Sequence, residues 1–191
     1  MHLQTLTSFL LTAASAAFAL TTRQTAPQTC TTTTAPGLFT LTATYTTSPY
    51  TTVPLRVANV HTVAKVGYAL LTTGPGPTTW PSYNLASSVF KPYPGNTIMR
   101  TVSLPLNTGE SPSFISIQTY PPGWAGYCFM DAPTPSTGPQ LLAAHTHSDK
   151  WALCANSTAG GRVDIVYDPV PGHAHYTAAG CVGVTIEVVP V

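Results

Sequence analysis

The run Phe39-Thr40-Leu41-Thr42-Ala43-Thr44-Tyr45 alternates apolar and threonine side chains at every step. A strand turns successive side chains to opposite faces, so this run buries Phe39, Leu41, Ala43 and Tyr45 and shows solvent a threonine face. Shorter β-branched or aromatic runs follow at 53–57, 60–71, 89–90, 98–104, 114–119, 127–130, 151–154, 162–167 and 182–189. Breakers such as Gly74-Pro75-Gly76-Pro77, Pro94-Gly95-Asn96 and Asn107-Thr108-Gly109 separate them. No stretch beyond the first residues repeats apolar positions at helical spacing, and 19 prolines are scattered too evenly for a long helix. The expectation is an all-β, single-domain sandwich or barrel of about nine or ten short strands. Near the C-terminus, 150–154 and 162–167 flank the turn 156–161 and read as a hairpin. The last strand, with Val182, Val184, Ile186 and Val188 on one face, is expected to pair with one of its arms.

Of 191 residues only 7% are Asp, Glu, Lys or Arg, where about 25% is usual for a soluble domain. Thr takes about one position in six, and hydrophobic residues stand at 43%, enough to build a core. A net charge of +1 without a basic run removes the electrostatic footprint of nucleic-acid binding.

Residues 1–19 hold an apolar run around Phe9-Leu10-Leu11 and end on Ala17-Phe18-Ala19, the small-x-small exit of a secretory signal peptide. The apolar stretch is too short to span a bilayer and no later one qualifies, so no membrane anchor is expected and the mature protein is expected to be secreted and extracellular. Residues 20–36, almost wholly Thr, Gln, Ala and Pro, read as a tail ahead of a domain at 37–191.

Cys30, Cys128, Cys154 and Cys181 all lie beyond the expected cleavage point, an even count in an oxidising compartment. Of the three connectivities, Cys154 with Cys181 is preferred because each ends a strand-like segment in the C-terminal third. That leaves Cys30 with Cys128. Asn156-Ser157-Thr158 is a glycosylation sequon.

Signal segment, Thr/Pro-rich start, few charges, four cysteines and Trp151-Ala152-Leu153-Cys154-Ala155-Asn156-Ser157-Thr158 ahead of Gly160-Gly161-Arg162 together resemble the small secreted cysteine-containing proteins of ascomycete fungi. That resemblance implies secretion and an effector or wall-associated role, and carries no catalytic residue with it.

Three groupings of residues bear on chemistry. His145-Thr146-His147 and His173-Ala174-His175 place imidazoles at i and i+2, which on strands share a face and could together hold Zn or Cu, with Asp149 or Asp131 beside them. In loops flanking the hairpin they would be ordinary polar residues. His61, between Val60 and Val63, reads as structural. Trp80, Tyr83 and Tyr93, then Tyr120, Trp124 and Tyr127, sit in Pro-rich stretches and could stack on sugar rings if exposed. Otherwise they pack. The carboxylates, Glu110, Asp131, Asp149, Asp164, Asp168 and Glu187, are few, and Asp164 and Asp168 are expected on the solvated face of their strand. The leading expectation is therefore a non-enzymatic binder of a host or cell-wall component, such as a polysaccharide, without a cofactor. A carbohydrate-binding wall protein and a histidine metal protein with enzymatic activity are the alternatives.

Overall fold

The computed structural model describes residues 29–63, 66–74, 80–93, 100–117, 123–132 and 138–191. The expected export segment 1–19, the first part of the Thr/Pro-rich stretch and Tyr120 lie outside them. The described residues form twelve strands: β1 (Phe39–Tyr45), β2 (Thr52–Val63), β3 (Val66–Thr72), β4 (Ser82–Ala86), β5 (Val89–Tyr93), β6 (Arg100–Ser103), β7 (Ser113–Ile117), β8 (Tyr127–Asp131), β9 (Gln140–Ala144), β10 (Trp151–Ala155), β11 (Val163–Tyr167) and β12 (Val182–Pro190). The one helical element among the described residues is the 3-10 turn Ala178–Gly180, and none is a helix long and apolar enough to cross a membrane.

Six strands close on themselves in the order β1-β2-β3-β11-β10-β12 and back to β1, every pairing antiparallel. Closure removes the open edges that a sheet of this size would otherwise expose. The alternation in β1 fixes its register: Leu41 lies opposite Val188 and Leu55, and Ala43 opposite Ile186 and Val53, so the inward faces of three strands meet. Outward, Thr42 faces Glu187 and Thr44 faces Thr185. Thr44 Oγ1 donates to Glu187 Oε1 at 2.8 Å.

Beyond the closed ring, three barrel strands run on and take second partners. Phe39 of β1 meets Tyr83 of the β4–β5 hairpin, Glu187 of β12 meets Leu141 of the β8–β9 hairpin, and Gly67–Leu70 of β3 pair with β7, which pairs in turn with β6. The space where the hairpins converge is filled by rings: Phe39, Tyr83, Phe90, Phe114, Tyr127 and Phe129 stand 5.0–6.2 Å apart in stacked and edge-on pairs. This aromatic cluster and the aliphatic barrel interior form one continuous core.

Two strands, β4 and β9, fall where the sequence suggested none. Ser82-Tyr83-Asn84-Leu85-Ala86 mixes polar and apolar residues next to a Pro-rich stretch, and Gln140-Leu141-Leu142-Ala143-Ala144 is buried on both faces and lacks alternation. The run 60–71 is two strands, β2 and β3, with β2 bulged between Asn59 and His61. The expected C-terminal hairpin is β10–β11, and β12 pairs with its β10 arm.

Disulfides join Cys30 to Cys128 on β8 and Cys154 on β10 to Cys181 just ahead of β12. The segment after Cys30 is docked on the domain. Thr31 donates its N–H to Phe129 O, Phe129 donates back to Thr32 O, and Ala35 donates to Leu85 O, at 2.8–2.9 Å. Ala35 also packs on the main core.

Candidate functional site

The loop 104–112 between β6 and β7 crosses the outside of the barrel and is tied to the end of β11. Gly109 donates its N–H to Tyr167 O at 2.7 Å and Tyr167 donates to Glu110 O at 2.9 Å. A second loop, 168–181, folds over the outer face of β10 and β11, held by the Cys154–Cys181 bond and by Tyr176. That tyrosine is buried against Ala152, Cys154 and Val166, and its hydroxyl donates to Gly109 O at 3.0 Å. Two polar recesses open on either side of the 104–112 loop.

The first, of about 220 Å³, has Asp164 in its floor and Glu110, Asn156, Thr158, His173 and His175 in its walls, with Val60 and Leu70 as an apolar side. Asp164 projects outward from β11, as alternation requires, but it is only 5% exposed because the two loops cover it. The solvated position expected for it is thus corrected. Burying a carboxylate is costly unless it is paired and hydrogen-bonded. Arg162 supplies both: its Nε donates to Oδ1 at 2.7 Å and its Nη2 to Oδ2 at 3.0 Å. Asn156 Nδ2 donates to Oδ2 at 2.7 Å. That bond orients the amide, so Asn156 Oδ1 accepts from the Thr158 N–H and hydroxyl, each at 2.9 Å. With its proton so committed, the Thr158 hydroxyl accepts from His175 Nδ1 at 3.0 Å. The nitrogen that an N-linked glycan would use therefore faces Asp164. His173 stacks on Tyr176 at 4.2 Å, and its Nε2 lies 4.0 Å from Glu110 Oε1.

The second recess, of about 320 Å³, is lined by Leu106, Asn107, Thr108, His145, His147, Lys150, Tyr167 and Asp168. Lys150 Nζ donates to Asp168 Oδ2 at 3.0 Å, and His147 Nδ1 lies 3.5 Å from Asp149 Oδ1. Asp168, expected in solvent, is half-buried by this contact. His145 Nε2 lies 2.8 Å from Leu106 O, and since a carbonyl only accepts, Nε2 carries the proton of the neutral ring and Nδ1 its lone pair. The imidazole is flanked by Trp124 at 4.8 Å and Tyr167 at 5.4 Å. Burial, with Asp168 and then Asp149 nearby, pushes the Tyr167 phenol up to about 12.

The backbone here is strained. Five non-glycine residues among those described have positive φ, and three of them, His145 (49°), Thr146 (64°) and Asp168 (47°), border this recess. Ala144 and His147 exchange both backbone hydrogen bonds, so His145 and Thr146 form a two-residue turn of the kind that favours Asn-Gly. A β-branched residue there costs on the order of 1 kcal/mol or more.

These placements revise several expectations. The two His-x-His units lie in turns or loops and line different recesses, so they do not converge, and among the described residues no three His, Cys, Asp or Glu side chains gather where they could hold a metal ion. Trp80 is 6% and Tyr83 1% exposed, both in the core, so they offer no stacking face to a sugar. Tyr127 is likewise buried, Tyr93 is exposed on β5, and Trp124 is half-buried with its edge against Tyr127. Tyr176, Lys150 and Tyr167 were not singled out from the sequence, and Glu110, Thr158 and Arg162 figured there only as one of the few carboxylates, a sequon residue and the end of a family-like run. Arg162-Val163-Asp164, opposite charges at i and i+2 of a strand, was the one legible signal among them.

Comparisons with protein-family models, with curated proteins and with solved structures found no match.

Proposed function

We propose that the protein acts outside the cell, as a fungal effector or wall-associated protein, and that it works by binding a host or cell-wall component rather than by turning over a substrate. The observation that carries this reading is the cancellation of charge within the recess walls. Asp164 is held by three donors from Arg162 and Asn156, and Lys150 is set against Asp168. A carboxylate whose oxygens are already engaged by neighbouring donors is not presented to a ligand, and general acid-base catalysis needs a group within hydrogen-bond reach of the reacting proton. Both bridges are formed, which commits all four cysteines and withholds them as nucleophiles. What remains is a rigid surface rich in hydrogen-bonding groups and nearly neutral, suited to uncharged ligands. Two disulfides on a closed barrel support a life in an oxidising compartment.

The test is to express the chain in a filamentous host and recover it from the medium. The amino terminus should follow Ala19, and the protein should cosediment with wall material or host apoplastic extract equally with and without EDTA. Retention inside the cell with Met1 intact, or no binding to either material, would overturn the proposal.

A further inference from the structure

We infer that the recess around His145 is a binding site for the uncharged end of a glycan, with His145 Nδ1 as its principal hydrogen-bond acceptor. The inference deepens the proposed function and rests on it, because it names the ligand class that an extracellular binder would take.

Three independent observations lead there. The imidazole is held in place although the residue is exposed: Trp124 and Tyr167 lie beside the ring, and Nε2 is bonded to Leu106 O. Only Nδ1 is left, an acceptor already oriented, so a ligand hydroxyl reaching it orders no further side chain. Next, the backbone that delivers this ring is strained at both His145 and Thr146, where Asn-Gly would be relaxed. Strain kept in a surface turn points to a use for the side chains that impose it. Finally, the walls offer what a polyol needs. Asn107 and Thr108 carry amide and hydroxyl groups, while Lys150 and Asp168 neutralise one another and favour neither an anion nor a cation. At about 320 Å³ the recess is at the lower end of the range for small-molecule sites, room for a terminal sugar residue rather than a long chain segment.

The ligand chemistry is narrowed further by what each alternative would meet. An anion would meet the lone pair of Nδ1 and the carboxylate of Asp168. A divalent cation would find the imidazoles of His145 and His147 but no third ligand, since Asp168 is already held by lysine and among the described residues no three His, Cys, Asp or Glu side chains gather. A neutral ring bearing adjacent hydroxyls meets neither difficulty.

The experiment measures binding of the oxidised, secreted protein to laminarin, chitohexaose, mannan and arabinoxylan as neutral probes and to polygalacturonate as the anionic one. At least one neutral probe should bind, and His145→Ala should weaken it tenfold or more. The paired replacement His145→Asn with Thr146→Gly should raise Tm by about 4 °C as the turn relaxes, and still lose binding. Capture of polygalacturonate alone, no binding of any probe, or parental affinity in both variants would overturn the inference. So would lost binding accompanied by a fall in Tm, which would make the turn structural. If the parent binds wall or host material through a surface that these substitutions leave intact, the inference fails and the broader proposal stands. If it binds none of these materials, both fail.

Discussion

Arg162 grips Asp164 through both carboxylate oxygens, at 2.7 and 3.0 Å, from two residues away on the same outward face of the chain. The aspartate is buried and the arginine three-quarters covered, so the pair is shielded from water far more than a surface ion pair is. Removing one partner leaves the other charge without compensation. Arg162→Ala should therefore destabilise the fold by about 3 kcal/mol in urea unfolding. Adding Asp164→Asn to it should return part of that loss, because the orphaned charge is gone. An additive double variant would show that the pair contributes nothing beyond its separate side chains.

The two disulfides close loops of different length, with sequence separations of 98 for Cys30–Cys128 and 27 for Cys154–Cys181. On the chain-entropy account, replacing the first pair with alanine should cost about 4.7 kcal/mol and the second about 3.5 kcal/mol. Denaturant melts of the two paired variants measure both. Loss of the first should also release Thr31 and Thr32 from β8, seen as faster amide exchange at Thr31 and Phe129.

Gly126 is fixed by the ring beside it. A Cβ at this position would run into Trp124 Cζ2, and the indole is rigid. Gly126→Ala should push Trp124 away from Tyr127 and His145 and cost about 1 kcal/mol or more. A shift in tryptophan emission together with a lowered urea midpoint is the expected result.

Three tyrosines set the alkaline limit. Burial raises the phenols of Tyr83 and Tyr127 well above their ordinary range and pushes Tyr167 up to about 12. The unfolded chain ionises these groups near pH 10, and the folded chain holds the proton beyond it. Their stabilising contribution is therefore whole below pH 10 and is lost as pH rises from 10 through about 12. Thermal melts should be flat with respect to these groups below pH 10 and fall above it. Absorbance at phenolate wavelengths should show these tyrosines ionising only as the fold opens.

The class of fold was legible because period-two alternation is a local signal, and Phe39–Tyr45 carries it without interruption. The closed ring was not, since it depends on β12 pairing β1 on one side and β10 and β9 on the other, which no local pattern records. β9 escaped notice for the same reason: a strand buried on both faces does not alternate. The candidate site was legible only in fragments. His145, His147, His173, His175, Asn156 and Trp124 all border the recesses or touch a residue that does, but the sequence could not say that the 104–112 loop passes between the two histidine units. Trp80 and Tyr83 misled because an aromatic in a Pro-rich stretch looks the same whether the chain next turns outward or enters a strand such as β4.

Binding without turnover is the claim on which the rest depends, and one measurement reaches it directly. Oxidised protein from the medium is incubated with wall polysaccharide and with host apoplastic extract, and the bound fraction and the integrity of the glycan, ester and peptide bonds are followed in the same samples. Saturable retention with every polymer and peptide left intact is the expected result. Cleavage of any of them at about 1 per second or faster, lost when the protein is unfolded, would contradict it.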